Sequence, residues 1–104
     1  MYTIDELKAR VSEAAEAYNE DAPSGMRIER ISLFGSYAAE RANDDSDVDL
    51  LVTFRSTIVS LITLAKVLSA MEEALEVSVD LVQDPLPEDS LLVIERKVPL
   101  YERS

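Results

Sequence analysis

Helical and strand-like patterns alternate along this chain of 104 residues, and the alternation limits which folds it can adopt. Thr3 and Glu6 have the spacing of a capping box, and apolar side chains recur behind them at helical spacing, which predicts a helix over residues 4–20. A second amphipathic helix is predicted over residues 60–75, with Leu61 in its apolar stripe. Short runs rich in apolar and β-branched residues predict strands at 27–34, 47–54 and 77–82.

Two further helices complete the predicted order. One is short and expected over residues 37–41, and the other is expected over residues 90–97, before a tail that reads VPLYERS. Tyr37 is expected to pack on the short helix, and Tyr101 is expected to dock the tail on the core. The resulting order of helix, strand, helix, strand, helix, strand, helix predicts one α/β (α+β) domain over residues 1–104, with a small mixed β-sheet flanked by helices.

The chain contains neither cysteine nor histidine. Disulfide scaffolds, Cys/His zinc sites, thiol nucleophiles and Ser-His or Cys-His mechanisms are therefore excluded. A general base would have to be a carboxylate, a lysine or a tyrosine. A bound metal would be a hard cation on oxygen ligands, such as magnesium, manganese or calcium.

The charge balance is strongly acidic, with 21 Asp and Glu residues against 10 Lys and Arg residues and a net charge of −11. Such a surface repels phosphate backbones, so direct nucleic-acid binding is not expected; it suits a divalent cation and a basic partner protein, or serves solubility alone. The uncharged stretch Ser56–Ala65 is shorter than the roughly 20 residues that span a membrane. Because the N-terminus also has no apolar signal region, a cytoplasmic location without membrane contact is expected.

Three carboxylates stand out from the other acidic residues. Asp47 and Asp49 lie two apart at the start of a predicted strand, so both point to the same face. Asp80 lies inside the apolar run of the third predicted strand, where an unpaired carboxylate is costly. If the two strands are neighbours, the three carboxylates face one site, where a divalent cation would offset their repulsion. The alternative is a solvated turn at 47–49 and an exposed strand edge at 80.

A calcium-binding loop beginning at Asp45 is a further alternative, because Asp45, Asp47 and Asp49 occupy its first, third and fifth positions. The sixth position requires glycine and the twelfth requires glutamate. The chain has Leu50 and Ser56 at those positions, which argues against such a loop.

Gly35 and Ser36 follow the first predicted strand directly, and exposed backbone N–H groups at such a turn can bind phosphate. Ten residues, Tyr37 to Ser46, separate this pair from Asp47-Val48-Asp49. The spacing resembles the G-S-x10-D-x-D signature of the nucleotidyltransferase superfamily. The segments ISLFGSYA, DSDVDLLVTF, VSVDLV and IERKVPLYE also occur in family order, and the chain looks most like the minimal nucleotidyltransferases of the MntA type.

The resemblance implies a prokaryotic antitoxin that pairs with a helical HEPN-family toxin of the HepT type. It implies transfer of AMP from ATP to a tyrosine hydroxyl of that toxin, with release of pyrophosphate. Asp47, Asp49 and Asp80 would be the catalytic residues and would hold Mg²⁺, as two ions. Gly35 and Ser36 would hold the outer phosphates of ATP, and Arg41 would assist them.

The chain departs from the family pattern next to the glycine-serine pair. Ala39 and Glu40 occupy positions where family members often have arginine and glycine, and Arg41 follows where an acid is common. Arg41 either replaces the missing arginine or forms a surface ion pair. Weak catalysis would leave a binding module that neutralises the toxin by occlusion. Transfer to a small molecule is a third reading, disfavoured because no second domain is present to bind the acceptor.

Overall fold

A computed structural model describes residues 2–38, 47–84 and 97–103 of the chain. Its helices and strands confirm the mixed α and β class. In chain order they are α1 (Ile4–Asp21), a 3₁₀ turn (Ser24–Met26), β1 (Ile28–Phe34), α2 (Gly35–Ala38), β2 (Val48–Phe54), α3 (Leu61–Leu75), β3 (Val79–Asp84) and β4 (Val98–Glu102).

Side chains cap the N-termini of both long helices. The Thr3 hydroxyl accepts a hydrogen bond from the Glu6 N–H at 3.1 Å, and the Glu6 carboxylate accepts one from the Thr3 N–H at 3.0 Å. The capping box predicted for α1 is therefore confirmed. At α3 the Ser60 hydroxyl accepts from the Thr63 N–H at 3.2 Å. This helix ends at Glu76, which adopts a left-handed conformation with φ 56°.

The four described strands form one mixed sheet in the order β3-β2-β1-β4. β1 pairs with β2 and with β4 in antiparallel fashion, whereas β2 and β3 are parallel. A parallel pair needs a crossover connection, and α3 supplies it between β2 and β3. Both parallel strands therefore begin at the same end of the sheet.

The hydrophobic core lies between the sheet and the two long helices. Its fully buried side chains come from every layer, namely Leu7 and Val11 of α1, Ile31 and Leu33 of β1, Val48, Leu50 and Val52 of β2, and Val67, Met71 and Leu75 of α3. In β2 these core residues alternate with Asp49, Leu51 and Thr53, which point to the opposite face. Leu51 is buried as well, so the centre of this strand is covered on both faces.

The prediction for the tail was incomplete, because the tail was expected to dock on the core but not to form a strand. Residues 98–102 form β4 at the edge of the sheet, where Pro99, which has no N–H to donate, is tolerated. The docking of Tyr101 is confirmed, since its buried hydroxyl donates to Glu16 Oε1 at 2.7 Å and accepts from Asn19 Nδ2 at 3.2 Å.

Three other local predictions need correction. The short helix begins at Gly35 rather than residue 37, because the chain turns directly at the end of β1. β3 begins at Val79 rather than residue 77, because the left-handed Glu76 must first reverse the chain after α3. Leu61 was placed in the apolar stripe of α3, but its side chain is 83% exposed, since the first turn of the helix lies beyond the core.

Several predictions concern residues outside the described part. These are the predictions for Ala39, Glu40 and Arg41 and for nearly all of the helix expected over 90–97; Lys97 is described and is not helical. No helix in the described ranges is long and apolar enough to cross a membrane.

Candidate active site

Asp49 and Asp80 lie side by side on neighbouring strands. In the parallel pairing of β2 with β3, Asp49 is the register partner of Asp80. Neighbouring strands lie roughly 4.8 Å apart, and side chains at one register position share a face of the sheet. The carboxylate site was predicted on the condition that these two strands are neighbours. The structure meets that condition.

Gly35 leaves the space that the Asp49 carboxylate occupies. The antiparallel register of β1 and β2 pairs Phe34 with Asp49, so the next residue, Gly35, turns beside that carboxylate. A Cβ atom on Gly35 would lie 2.8 Å from Asp49 Cγ and closer still to Oδ2. Gly35 also has φ 74°, a conformation that other residues rarely adopt. Both the backbone turn and the adjacent carboxylate thus require glycine at this position.

The electrostatic environment of Asp49 is unfavourable for its charge. Burial raises the pKa of Asp49 above the usual value, and the negative charges of Asp80 and then Asp47 raise it further. Asp47 is exposed immediately before β2, on the face that Asp49 shares by strand alternation. The charges of Asp80 and Asp47 thus act on Asp49, which is the least exposed of the three predicted carboxylates.

Glu72 supports the start of β3 and was not singled out in the sequence. Its Oε2 atom accepts a hydrogen bond from the Val79 N–H at 3.2 Å, one residue before Asp80. The Val48 N–H donates to the Ser78 carbonyl at 3.0 Å and joins the starts of β2 and β3. In the sequence Glu72 is one of several helical acids, and nothing there distinguishes it, because its role depends on the turn at Glu76.

The carboxylates suit a hard divalent cation in their donor chemistry. Asp49 is crowded against Gly35 and repelled by two neighbouring charges, a situation that a cation would relieve. Among the described residues, however, no three acidic side chains are arranged so that they could hold a metal ion by themselves. This is compatible with Mg²⁺, which commonly takes one or two carboxylates and completes its shell with water and substrate phosphates. The residues present therefore fit magnesium, with Asp49 and Asp80 at the centre of the donor set.

Two of the predicted phosphate contacts involve groups outside the described part. The backbone of Ser36 belongs to α2, but its side chain, whose hydroxyl was predicted to bind phosphate, lies outside the described part. Arg41 lies outside the described part as a whole. Tyr37 is 6% exposed and belongs to the core, which confirms its predicted packing role.

Comparison with known families shows which family this chain belongs to. The polymerase beta nucleotidyltransferase domain matches residues 17–103, a range that contains Gly35 and all three carboxylates. The chain belongs to the polymerase beta nucleotidyltransferase family. Within this nucleotidyltransferase family, the protein adenylyltransferase MntA of Thermococcus cleftensis is 33% identical over 82 residues, which cover 79% of this chain and 78% of the relative. The resemblance to MntA-type members is thereby confirmed.

Solved structures of two complexes share the nucleotidyltransferase fold described above. One is a toxin-antitoxin crystal structure with AMP-PNP, with a TM-score of 0.69 and 22% identity over 92% of this chain and 73% of the solved chain. The other contains a tri-AMPylated Shewanella oneidensis HEPN toxin with an MNT antitoxin, with a TM-score of 0.61 and 21% identity over 93% of this chain and 73% of the solved chain.

Proposed function

We propose that this nucleotidyltransferase is an antitoxin that transfers AMP from ATP to a tyrosine hydroxyl of a HEPN-family toxin. The observation that carries the proposal is the register pairing of Asp49 with Asp80 beside the turn at Gly35, because metal-assisted phosphoryl transfer needs carboxylates gathered at one point. The relative from Thermococcus cleftensis is a protein adenylyltransferase, and one structural neighbour contains an AMPylated HEPN toxin, which supports the acceptor class.

In the proposed reaction the tyrosine oxygen forms a bond to the α-phosphorus of ATP. The bond between the α-phosphorus and the oxygen that bridges to the β-phosphorus breaks, and pyrophosphate leaves in line with the attack. Asp80 accepts the phenolic proton, either directly or through water. Asp80 suits this role because it is exposed and lies in register with Asp49.

Asp47, Asp49 and Asp80 would hold Mg²⁺, which when bound would offset the charge on the phosphates. Gly35 leaves the space that the Asp49 carboxylate needs, and the backbone turn from Gly35 into Ser36 would offer N–H groups to the outer phosphates. Glu72 and the Val48–Ser78 hydrogen bond fix the strand starts, so that the carboxylates keep their separation during the reaction.

The acidic surface of this chain is complementary to a basic partner, and a toxin that handles RNA is expected to be basic. A net charge of −11 on this chain would attract a positively charged toxin and raise the rate at which the two proteins meet.

The test uses this chain and the protein encoded by the gene next to its own, which the proposal expects to be a HEPN-family protein. The two are incubated with ATP and Mg²⁺, and intact mass and fragment spectra locate added AMP. We expect AMP on a partner tyrosine, and we expect EDTA to prevent the addition. If the two proteins associate and no AMP is transferred, the proposal is wrong.

A double variant separates transfer from simple occlusion. Asp47→Asn with Asp49→Asn should remove AMP transfer and protection of cells from the toxin, whereas Asp21→Asn, at an exposed acid of α1, should change neither. A double variant that protects cells as well as the parent would support a binding module in place of an enzyme.

A further inference from the structure

Three large apolar side chains project into solvent where the chain passes from β2 into α3. Ile58 is 82% exposed, Leu61 is 83% exposed and Ile62 is 71% exposed. We call these three residues the α3 apolar patch. Isolated exposed apolar residues are common, but a contiguous group of large ones marks an interaction surface in many soluble proteins.

The backbone that carries the α3 apolar patch is held by hydrogen bonds. The Ser56 hydroxyl accepts from the Ile58 N–H at 3.2 Å and donates to the Ile58 carbonyl at 3.1 Å. The Gln83 side chain donates to the Thr57 carbonyl at 3.1 Å and ties this turn to β3. The Ser60 cap then fixes the first turn of α3. The patch is thus presented in a defined geometry, which lowers the entropy lost when a partner binds.

The charge around the patch differs from that of the rest of the chain. Residues 50–71 contain no Asp or Glu, although the chain has 21 of them, and they include Arg55 and Lys66. Both basic residues are exposed. Among the described residues, acids of other elements approach this stretch where Asp84 accepts from Thr53, where Asp21 lines a cavity with Lys66, and where Glu13 lines a cavity with Ala70. A complementary surface would be apolar and would carry carboxylates at its edge.

The α3 apolar patch is remote from the candidate active site. Asp49 and Asp80 lie near the starts of the parallel strands, whereas Thr57 and Gln83 lie at or beyond their ends. Phe54 lies five positions after Asp49, which corresponds to roughly 16 Å along β2. A protein bound at the patch would therefore leave the carboxylate site open to ATP.

We propose that the α3 apolar patch is the docking site for an apolar, carboxylate-edged surface of the protein that this chain modifies. This rests on the proposed function. The contact holds the acceptor protein at one end of the sheet while its hydroxyl reaches Asp49 and Asp80 at the other. A second copy of this chain fits less well, because it carries the same net charge of −11 and would bring like charges of Arg55 and Lys66 together.

The test compares two opposite charges at one exposed position, Leu61→Glu and Leu61→Lys. The probe is the same partner protein that the test of the proposed function uses, and calorimetry measures its dissociation constant. Because Leu61 is in the first turn of α3, glutamate there suits the helix dipole better than lysine. Weaker binding by the glutamate variant would therefore not come from a less stable helix. Ala9→Glu, at an exposed position of α1, controls for the added charge.

We expect Leu61→Glu to weaken binding about 30-fold, Leu61→Lys to weaken it less, and Ala9→Glu to leave it unchanged. AMP transfer at saturating partner concentration should be the same in all variants, while the KM for the partner rises with the dissociation constant. The double variant Leu61→Ser with Ile62→Ser should also weaken binding. It replaces the charged variants in the test if one of them does not fold.

Other results overturn the docking site. If the parent transfers AMP and all patch variants bind within twofold of it, the docking site is wrong and the proposed function stands. A greater loss with lysine than with glutamate contradicts the acidic edge. A change in sedimentation of the chain alone, without a change in partner binding, assigns the patch to self-association. If the parent neither binds nor modifies the partner, the proposed function fails together with the docking site.

Discussion

Gly35 and Asp49 occupy adjoining space such that a single methyl group on Gly35 would collide with the Asp49 carboxyl group. The ideal Cβ position lies 2.8 Å from Asp49 Cγ. The glycine of the G-S pair and the second aspartate of D-x-D are thus one geometric unit, although 13 residues separate them in the chain.

Gly35→Ala should lower AMP transfer about 100-fold, because the displaced Asp49 carboxylate no longer meets the phosphates in a productive geometry. The positive φ at this position adds about 1–2 kcal/mol of backbone strain. Gly25→Ala is the matched control, since its Cβ would meet only Ser56 Cβ, at 3.6 Å. Single-turnover transfer and urea unfolding measure the two effects. A Gly35→Ala enzyme with parental activity would contradict the geometry.

Asp49→Asn should raise the melting temperature in metal-free buffer at pH 7 while it removes transfer. The neutral amide is free of the repulsion from Asp47 and Asp80 and loses less on burial than a carboxylate. Asp5→Asn, at an exposed position of α1, should have a much smaller effect. Calorimetric melts of the parent and both variants check this, and a lower melting temperature for Asp49→Asn would show that the carboxylate stabilises the fold.

Asn19→Ala should destabilise the protein by about 3 kcal/mol. The buried Asn19 side chain accepts from the Ile28 N–H at 2.8 Å and donates to the Ile28 carbonyl at 2.9 Å, so its removal leaves two backbone groups unpaired. Tyr101→Phe removes only the hydroxyl at the edge of this network and should cost about 1 kcal/mol. Urea denaturation measures both values. Equal costs for the two variants would mean that water replaces the Asn19 amide.

The Glu6 carboxylate should make the stability of α1 depend on pH. Hydrogen bonds from the Thr3 backbone N–H and side chain lower the pKa of Glu6 below its usual value of 4.5. A lowered folded-state pKa gives stability that is present above pH 4.5 and is lost as the pH falls through the folded value. Glu6→Gln keeps a capping acceptor without titrating there.

Unfolding free energies of the parent and Glu6→Gln should accordingly have a constant difference between pH 6 and 7. Below pH 4.5 the parent should lose stability relative to the variant. A difference that stays constant down to pH 3 would show that the carboxylate does not cap the helix in solution.

The long elements of the fold could be predicted because local physics determines them. The Thr3–Glu6 box and the apolar stripe specify α1 without reference to the rest of the chain. β4 was missed because a five-residue strand that contains Pro99 has little strand character of its own, and only pairing with β1 makes it one. Leu61 fits the stripe of α3 by spacing, but spacing does not tell where the core ends.

The sequence singled out candidate site residues, but it did not give their geometry. The G-S and D-x-D spacing identified Gly35, Asp47 and Asp49, and the apolar surroundings of Asp80 singled it out. That Asp80 is in register with Asp49 depends on where β3 begins, and the turn at Glu76 determines that. The support from Glu72 depends on the same turn, so it too requires the folded chain.

The pairing of β1 with β4 affects how a newly made chain completes its fold. Ile31 of β1 pairs with Tyr101, 70 residues later, and contacts between such distant segments form slowly. During synthesis on the ribosome, one edge of β1 therefore lacks its strand partner until residues 98–102 have emerged from the exit tunnel. During that interval the nascent protein exposes a strand edge to aggregation, and a chaperone that binds extended apolar segments would have its best opportunity there.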